Sequence, residues 1–309
     1  MSSIGGEFAH VPVLGEEVCE WLSSDRPLTI LDCTAGYGGH AELLLESSHA
    51  GTTLIGLDRD PMAVDFCRQR LNRFGGSVVL RQGNHRDLKR HLAELGVSTV
   101  GAVLFDFGVS SPQLDDAARG FSFQLDGPLD MRMDQSAGRT AADLVNNGDE
   151  HDLADIIFQF GEERYARRIA RSIVRERRHR RIATTGQLAS VVAQSVPASY
   201  RHGRIHCATR TFQALRIAVN QELESVEPSL RDAVDVLSKG GRICAISFHS
   251  LEDRIVKHTF KSLAQQPDPK LVVLTKKPIS ASKEECESNP RSRSAKLRVA
   301  ERQPRLELS

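Results

Sequence analysis

The stretch Val100-Gly101-Ala102-Val103-Leu104-Phe105-Asp106-Phe107-Gly108-Val109-Ser110-Ser111-Pro112-Gln113 decides the fold. It opens as a short apolar run and ends in an acid, small residues and a proline. Such a run predicts a buried strand. In open α/β sheets, ligands bind outside the carboxyl ends of the strands. If residues 100–105 form a central strand, the polar residues that follow lie where a ligand meets the sheet.

The residues before it repeat the same unit. Residues 28–33 predict a strand that runs into Thr34-Ala35-Gly36-Tyr37-Gly38-Gly39-His40, then a helix over 41–45. Residues 53–57 predict a second strand, followed by Asp58-Arg59-Asp60-Pro61 and a helix over 62–71. Residues 78–81 predict a third, followed by Gln82-Gly83-Asn84-His85 and a helix over 87–95. Alternating strands and helices predict a doubly wound parallel α/β sheet. The glycine turn lets the backbone approach a ligand, but its spacing is not the dinucleotide G-x-G-x-x-G. An acid ending the second strand can take both ribose hydroxyls, so Asp58 is the ribose candidate. Asp60 is placed to cap the next helix, with Pro61 at its first turn. Asp32, the turn and Asp58 together describe a nucleoside crevice, and His85 is either a residue flanking the adenine or a plain loop histidine. Ahead of the first strand, Val18, Trp21 and Leu22 share a helix face, and His10 is a second ligand candidate beside the simpler role of that helix as a cover.

From 114 to about 210 no strand is legible. Helical patterns cover 141–145, 149–160, 163–175 and 185–196. Within them Arg164, Arg167, Arg168, Arg171, Arg175 and Arg178 recur at three- and four-residue steps, opposite Ile169, Ile173 and Val174. A one-sided arginine stripe is the footprint of phosphate contacts; the alternative is a solvated face paired with Glu162, Glu163 and Asp155. Helices then cover 212–223 and 230–237, with a stop at Lys239-Gly240-Gly241. A fifth strand over 242–248 ends at His249, and residues 271–274 form a last short strand. The tail 288–298 is basic and poor in core residues.

At 309 residues, with 40% hydrophobic and 26% charged, the chain can bury a full core. A net charge of +1 puts any nucleic-acid surface in a local patch. The six cysteines form no C-x-x-C pair, which argues against a zinc site, and they suit a reducing compartment. No apolar run is long enough to span a bilayer and residues 1–15 lack a signal pattern. A cytoplasmic enzyme with no membrane partner is expected, and no metal.

A nucleoside crevice without a phosphate cradle favours S-adenosylmethionine as cofactor, which carries no phosphate. With the arginine stripe, it points to a nucleic-acid methyltransferase. Methylation of cytosine C5 needs a cysteine nucleophile, and no Pro-Cys pair occurs. An exocyclic amine instead needs acceptors for its N–H groups and an in-line methyl donor. Asp106, Ser110 and the carbonyls near Ser111 and Pro112 are such acceptors. The base would be splayed out of its RNA to reach them. A DNA amino-methyltransferase and a non-catalytic RNA-binding assembly factor stay open; a nicotinamide dehydrogenase is disfavoured by the turn spacing.

The chain resembles the bacterial 16S ribosomal RNA cytosine-N4 methyltransferases, the MraW family. The resemblance rests on His10-Val11-Pro12-Val13-Leu14, the Gly38-Gly39-His40 turn, Asp58-Arg59-Asp60-Pro61 and residues 106–115. It extends through Arg119-Gly120-Phe121-Ser122-Phe123, residues 126–134, 208–223, Ser247-Phe248-His249-Ser250-Leu251-Glu252-Asp253-Arg254 and 289–299. It implies a Rossmann-like class I S-adenosylmethionine methyltransferase domain, 1–114 with 212–309, interrupted by an all-helical substrate-recognition domain, 115–211. It implies N4-methylation of a cytosine near the P-site codon in 16S rRNA of the small ribosomal subunit, and leaves a homodimer open. Carried over by position, the cofactor contacts are Gly38, Gly39, His40, Asp58, His85, Asp106 and Gln113. The sequence departs from relatives at His85, where an aromatic residue is frequent, and at Cys207, where proline is usual. Gln113 follows Pro112 where DNA amino-methyltransferases carry a stacking aromatic, so Phe121, Phe123 or His249 is expected to stack the base. Asp106, Ser110, Ser111 and Pro112 are the expected catalytic set.

Overall fold

The computed structural model describes residues 12–203, 205–266 and 270–303; His10 lies outside them. The strands are β1 (Thr29–Asp32), β2 (Thr53–Asp58), β3 (Val78–Gln82), β4 (Val100–Asp106), β5 (Leu237–Ser247), β6 (Leu271–Val273) and β7 (Lys296–Arg302). They form one sheet in the order β3-β2-β1-β4-β5-β7-β6. The pairs from β3 to β5 are parallel, and β7 runs antiparallel between β5 and β6. Strand order reverses between β1 and β4, so the switch point falls at their carboxyl ends, Asp32 and Asp106. This is a Rossmann-like, doubly wound sheet with an antiparallel strand, β7, inserted near one edge.

Helices α1 (Gly15–Leu22), α2 (Gly39–Ser47), α3 (Pro61–Arg70) and α4 (Leu88–Glu94) accompany the first strands. Asp60 caps α3, its side chain accepting from the Met62 N–H at 3.0 Å, as Pro61 predicts. Two apolar layers flank the sheet. One includes Leu31, Val103, Phe105 and Ile243; the other Ile30, Leu54, Leu104 and Ile246. Consecutive residues therefore point to opposite layers, which is why these strands read as unbroken apolar runs.

The chain divides into two compact units, one holding the described residues up to Gly108 and from Leu223 onward, the other Val109–Glu222. The second unit contains α5 (Ser111–Asp115), α6 (Ala141–Asn147), α7 (Glu150–Gly161), α8 (Ala166–Arg177), α9 (Thr185–Ser195), α10 (Ala198–Arg201) and α11 (Thr209–Asn220). Among its described residues there is no strand, only an isolated bridge between Pro128 and Thr184. The expected borders, 115 and 211, fall inside this unit. Phe212 and Leu215 of α11 share its core with Ile157 and Ile169, so the helix goes with the insertion. Returning to the first unit, α12 (Glu222–Val236), α13 (Ser250–Ala264) and α14 (Lys283–Ser288) complete the chain.

Two expectations are corrected. The basic tail runs into the core: Ala295 and Leu297 are buried at its end, Arg298 is buried between Leu297 and Val299, and Val299 and Ala300 continue the buried run on β7. Burying each Leu or Val contributes about 1.5–3 kcal/mol, so β7 is a structural strand. Gly240-Gly241 does not stop a helix. Both lie in β5, beside a register irregularity opposite Val100 and Ala102, and Gly240 takes φ 74°, a left-handed value that glycine adopts without strain.

Candidate active site

At the carboxyl edge of the first unit the glycine turn is locked to the strand ends. Gly38, at φ 80°, is the N-cap of α2, and a Cβ there would come within 3.0 Å of the Cys67 sulfur. Gly39 starts the helix. Asp58 ends β2 and accepts the Gly36 N–H on Oδ2 and the Asp60 N–H on Oδ1, each at 2.8 Å. Each carboxylate oxygen keeps a further lone pair for a donor such as a hydroxyl. Asp32 accepts the Thr34 N–H at 3.0 Å, and the Thr34 hydroxyl accepts the Asp106 N–H at 2.6 Å. Three strands and one turn thus fix three carboxyl groups at one edge.

Those carboxyls are short of positive charge. Burial pushes Asp32 up to about 7 and Asp58 up to about 6. Asp106 is pushed up to about 8, first by burial and then by the Glu252 carboxylate. Asp106 Oδ1 is shut off from solvent without a hydrogen-bond partner among the described residues. His40 is the nearest base. Its Nε2–H donates to the Val13 carbonyl at 2.9 Å, leaving Nδ1 as a lone pair 3.5 Å from Asp106 Oδ2. Burial lowers the His40 pKa, while its pairing with Asp32 works the other way and draws the Asp32 pKa down. A proton held on Asp106 can face that lone pair. The edge therefore suits a cationic ligand, whose charge would replace the proton.

His85 follows β3, whose end pairs with that of β2. Its Nδ1 lies 2.7 Å from the Ser229 hydroxyl, which itself donates to the Ser225 carbonyl at 2.6 Å. The hydroxyl has one proton, already given away, so His85 Nδ1 carries the hydrogen and Nε2 is an acceptor. Phe105 and Phe107 meet the ring edge-on, 5.7 and 5.9 Å between centroids. Burial takes the His85 pKa down to about 4, which keeps the ring neutral.

Beyond Gly108 the chain enters the second unit. Ser110 is the N-cap of α5, Ser111 and Pro112 start it, and the side-chain oxygen of Gln113 accepts the Ser110 N–H at 3.0 Å. Ser110, Ser111, Pro112 and Gln113 thus form one short helical start, whereas Asp106, the fourth expected catalytic residue, ends β4 in the first unit. The expected base-stacking residues differ in what the structure leaves free. Phe121 is buried in the core of its unit, beside Arg119, so its faces are occupied by protein. Phe123 is half-buried against His206 and Phe212. His249 caps α13 in the first unit: its Nδ1 accepts the Glu252 N–H, and Nε2 lies 3.1 Å from the buried Glu252 carboxylate.

The strings on either side of the arginines build a scaffold. Asn220 accepts the Met133 N–H and donates to the Met131 carbonyl, each at 2.8 Å, while Arg119 donates to the Arg132 and Met133 carbonyls. Asp130 holds Arg132 through two hydrogen bonds. On α8 the stripe is exposed as expected. Arg171 pairs with Glu150 at 3.5 Å, whereas the side chains of Arg167, Arg168, Arg175 and Arg178 have no partner among the described residues. Glu163 does not neutralise the stripe: it is buried and accepts from the Tyr200 hydroxyl. Arg164 precedes α8 and stacks on Tyr165 and Tyr200. Residues 109–222 hold sixteen arginines and no lysine, and arginine is the cation that binds phosphate bidentately.

The family model of the MraW methylase family matches residues 7–303. The chain belongs to the MraW methylase family. It is 50% identical to ribosomal RNA small subunit methyltransferase H of Trichlorobacter lovleyi, over 96% of this chain and 99% of that protein. It is 52% identical to the protein of the same name from Synechococcus elongatus, over 97% of each. Among solved structures, an rRNA methylase from Streptococcus thermophilus aligns with a TM-score of 0.43 at 10% identity, over 94% of each chain.

The MraW methylase match spans both units, so the arginine-rich insertion belongs to the family's own architecture. Two features escaped the residue-by-residue reading. Glu252 lies buried beside Asp106, and its only signal was membership of the Ser247–Arg254 string. The orientation of His85 depends on Ser229, 144 residues further along, which no local pattern announces.

Proposed function

We propose that this chain methylates the exocyclic N4 of a cytosine in 16S rRNA of the small ribosomal subunit, near the P-site codon, with S-adenosylmethionine as donor. The observation that carries the proposal is the carboxyl edge, where Asp32, Asp58 and Asp106 are crowded without, among the described residues, a lysine or arginine partner for Asp32 or Asp106. S-adenosylmethionine is a sulfonium cation without a phosphate, and when bound it supplies an electrophilic methyl group. Asp58 has the free lone pairs to take its ribose hydroxyls, and His85 the acceptor to face its adenine. Gly38, Gly39 and His40 line the turn suited to its methionine part, with Asp106 and Gln113 completing the contacts. The name shared by the relatives supports small-subunit rRNA as the substrate class.

On the acceptor side, the cytosine amine is a poor nucleophile because its lone pair is delocalised into the ring. Acceptors for its N–H groups draw that lone pair toward a tetrahedral nitrogen. Asp106, Ser110 and the carbonyls of Ser111 and Pro112 are the groups assigned to this task, and the amine proton leaves to solvent after transfer. Arg167, Arg168, Arg171, Arg175 and Arg178 contact RNA phosphates.

Tritiated methyl transfer onto small subunits, naked rRNA and DNA, followed by nucleoside analysis, tests it. N4-methylcytidine in the subunit RNA is the expected product. Label in another nucleoside, or in DNA alone, overturns the assignment, and calorimetry showing no S-adenosylmethionine binding overturns the enzyme.

A further inference from the structure

The second unit carries a cavity that the amine chemistry does not use. It has a volume of about 460 Å³, within the range of small-ligand sites, and Arg164, Tyr200, Ile205, His206 and Arg210 line it. Its donors come from two separate stretches of the sequence, Arg164 and the segment His206 to Arg210. The Arg164 guanidinium lies 4.8 Å from the Tyr165 ring centroid and 4.7 Å from that of Tyr200, and it has no carboxylate partner among the described residues. Stacking fixes a planar guanidinium while leaving its N–H groups free. The rings are themselves fixed: Tyr165 and Tyr200 meet edge-to-face at 4.9 Å, and the Tyr200 hydroxyl donates to Glu163 at 2.6 Å. That bond turns the buried Glu163 carboxylate toward the tyrosine. Arg210 spends one N–H on the Glu162 carbonyl at 3.0 Å and keeps the rest. His206 Nδ1 accepts the Ala208 N–H at 3.2 Å, so Nε2 is the donor of the ring. The ring is held against Phe123, 4.7 Å away.

Two guanidiniums and an imidazole N–H lining one cavity, with no carboxylate among the lining residues, describe an anion site. The exposed Ile205 side chain and the Tyr200 ring add apolar surface beside it. We propose that this cavity binds one nucleotide of single-stranded RNA, its phosphate on Arg164, Arg210 and His206 and its nucleoside against Ile205 and Tyr200. It is an anchor separate from the exposed α8 stripe, made of pre-positioned rather than mobile arginines. The inference rests on the RNA-directed function proposed above and specifies a contact of that substrate.

Anisotropy of a fluorescein-labelled single-stranded RNA octamer, titrated with the full chain at several salt concentrations, tests it. Arg164→Gln is expected to weaken binding about tenfold near 0.1 M salt. It should also flatten the slope of log affinity against log salt by about 0.7, the share of one phosphate contact on a single strand. His206→Gln, which removes no fixed charge, should weaken binding about threefold with the slope unchanged. Arg164→Lys keeps the charge and loses the stack, so affinity should fall while the slope stays. S-adenosylhomocysteine affinity, read on the same proteins, should be unaltered and shows that each variant is folded. Cytidine 5′-monophosphate should displace the octamer at lower concentration than cytidine. Variants within twofold of wild type in both affinity and slope overturn the site. So does an acidic phosphopeptide that binds while the octamer does not. If small subunits accept no methyl group although the octamer result stands, the function fails and the RNA site survives.

Discussion

The two units handle charge in opposite ways. In the sheet unit the acids are gathered at one edge and enclosed, so that Asp32, Asp58 and Asp106 hold protons well above the ordinary carboxylate range. In the helical unit the arginines are spread along α8 and left in solvent, with four of them unpaired among the described residues. A net charge of +1 for the whole chain conceals both. Enclosed like charges favour a single small ligand of opposite sign, because each contact is made in a low dielectric. Exposed charges favour a polymer, whose many phosphates compensate for weak, salt-screened contacts. The same contrast separates what a substitution should do in each unit.

The largest effect is expected at the acid edge. Asp58→Ala removes two backbone anchors and the ribose acceptor together, and charged hydrogen bonds contribute about 1.5–3 kcal/mol each. S-adenosylmethionine affinity, measured by calorimetry, should fall at least about 100-fold, while RNA-octamer affinity stays within twofold. Loss of both would mean that the two units do not act separately. Next in size, Arg168→Glu with Arg171→Glu should weaken octamer binding about 10–100-fold at 0.1 M salt and steepen nothing at the cofactor. Retained RNA affinity would return the stripe to the role of a solvated face.

The units also differ in how far the sequence reveals them. The acid edge is legible because each of its residues ends a strand: Asp32, Asp58 and Asp106 directly follow apolar runs, and a period-free apolar run in a parallel sheet has one reading. The stripe is legible from its spacing alone. The rest depends on distant partners. The 288–298 tail reads as basic because Arg291, Arg293, Lys296 and Arg298 crowd it, and the buried run of β7 begins only at its end, where β5 and β6 pair with it. Phe121 stands in a polar loop and reads as available, yet the Arg119 and Asn220 hydrogen bonds fold that loop onto the unit's core. Burial there is decided by residues about a hundred positions apart.

A pH series sharpens the contrast further. A carboxyl whose folded pKa is raised binds a proton in the folded chain that the unfolded chain has released. Stability without ligand should therefore fall as pH rises from about 4, the unfolded value, to about 8, the highest of the three folded values. A cationic ligand prefers the deprotonated edge, so its affinity should move the other way. S-adenosylmethionine should bind about tenfold more tightly at pH 8.5 than at pH 6.5. S-adenosylhomocysteine, which lacks the sulfonium charge, should change less than about threefold over that range, and Asp106→Asn should flatten the difference. Equal pH dependence for the two ligands would show that the acids do not sense the sulfonium. Octamer binding should not tighten as pH rises, since arginines do not titrate there and protonating the His206 imidazole can only add to the attraction for phosphate.

The smallest effect concerns two histidines in mirror-image tautomers. His206 of the helical unit accepts on Nδ1 and offers a donor, as a phosphate requires. His85 of the sheet unit donates from Nδ1 to Ser229 and offers an acceptor on Nε2, as an amino group requires. An acceptor facing the adenine should favour the 6-amino group over a 6-oxo group, which would set two acceptors against each other. S-adenosylhomocysteine should therefore bind about 5–10-fold more tightly than its inosine analogue, the worth of one hydrogen bond near 1 kcal/mol. His85→Phe fills the same space without an acceptor, so the preference should shrink to about twofold while the homocysteine moiety still binds. Ser229→Ala frees the ring to place its proton on either nitrogen and should erode the preference part-way. A nitrogen-15 NMR spectrum placing the His85 proton on Nε2 in the wild-type chain would reverse the assignment. The aromatic contacts from Phe105 and Phe107 would then be the only reason for the ring's position.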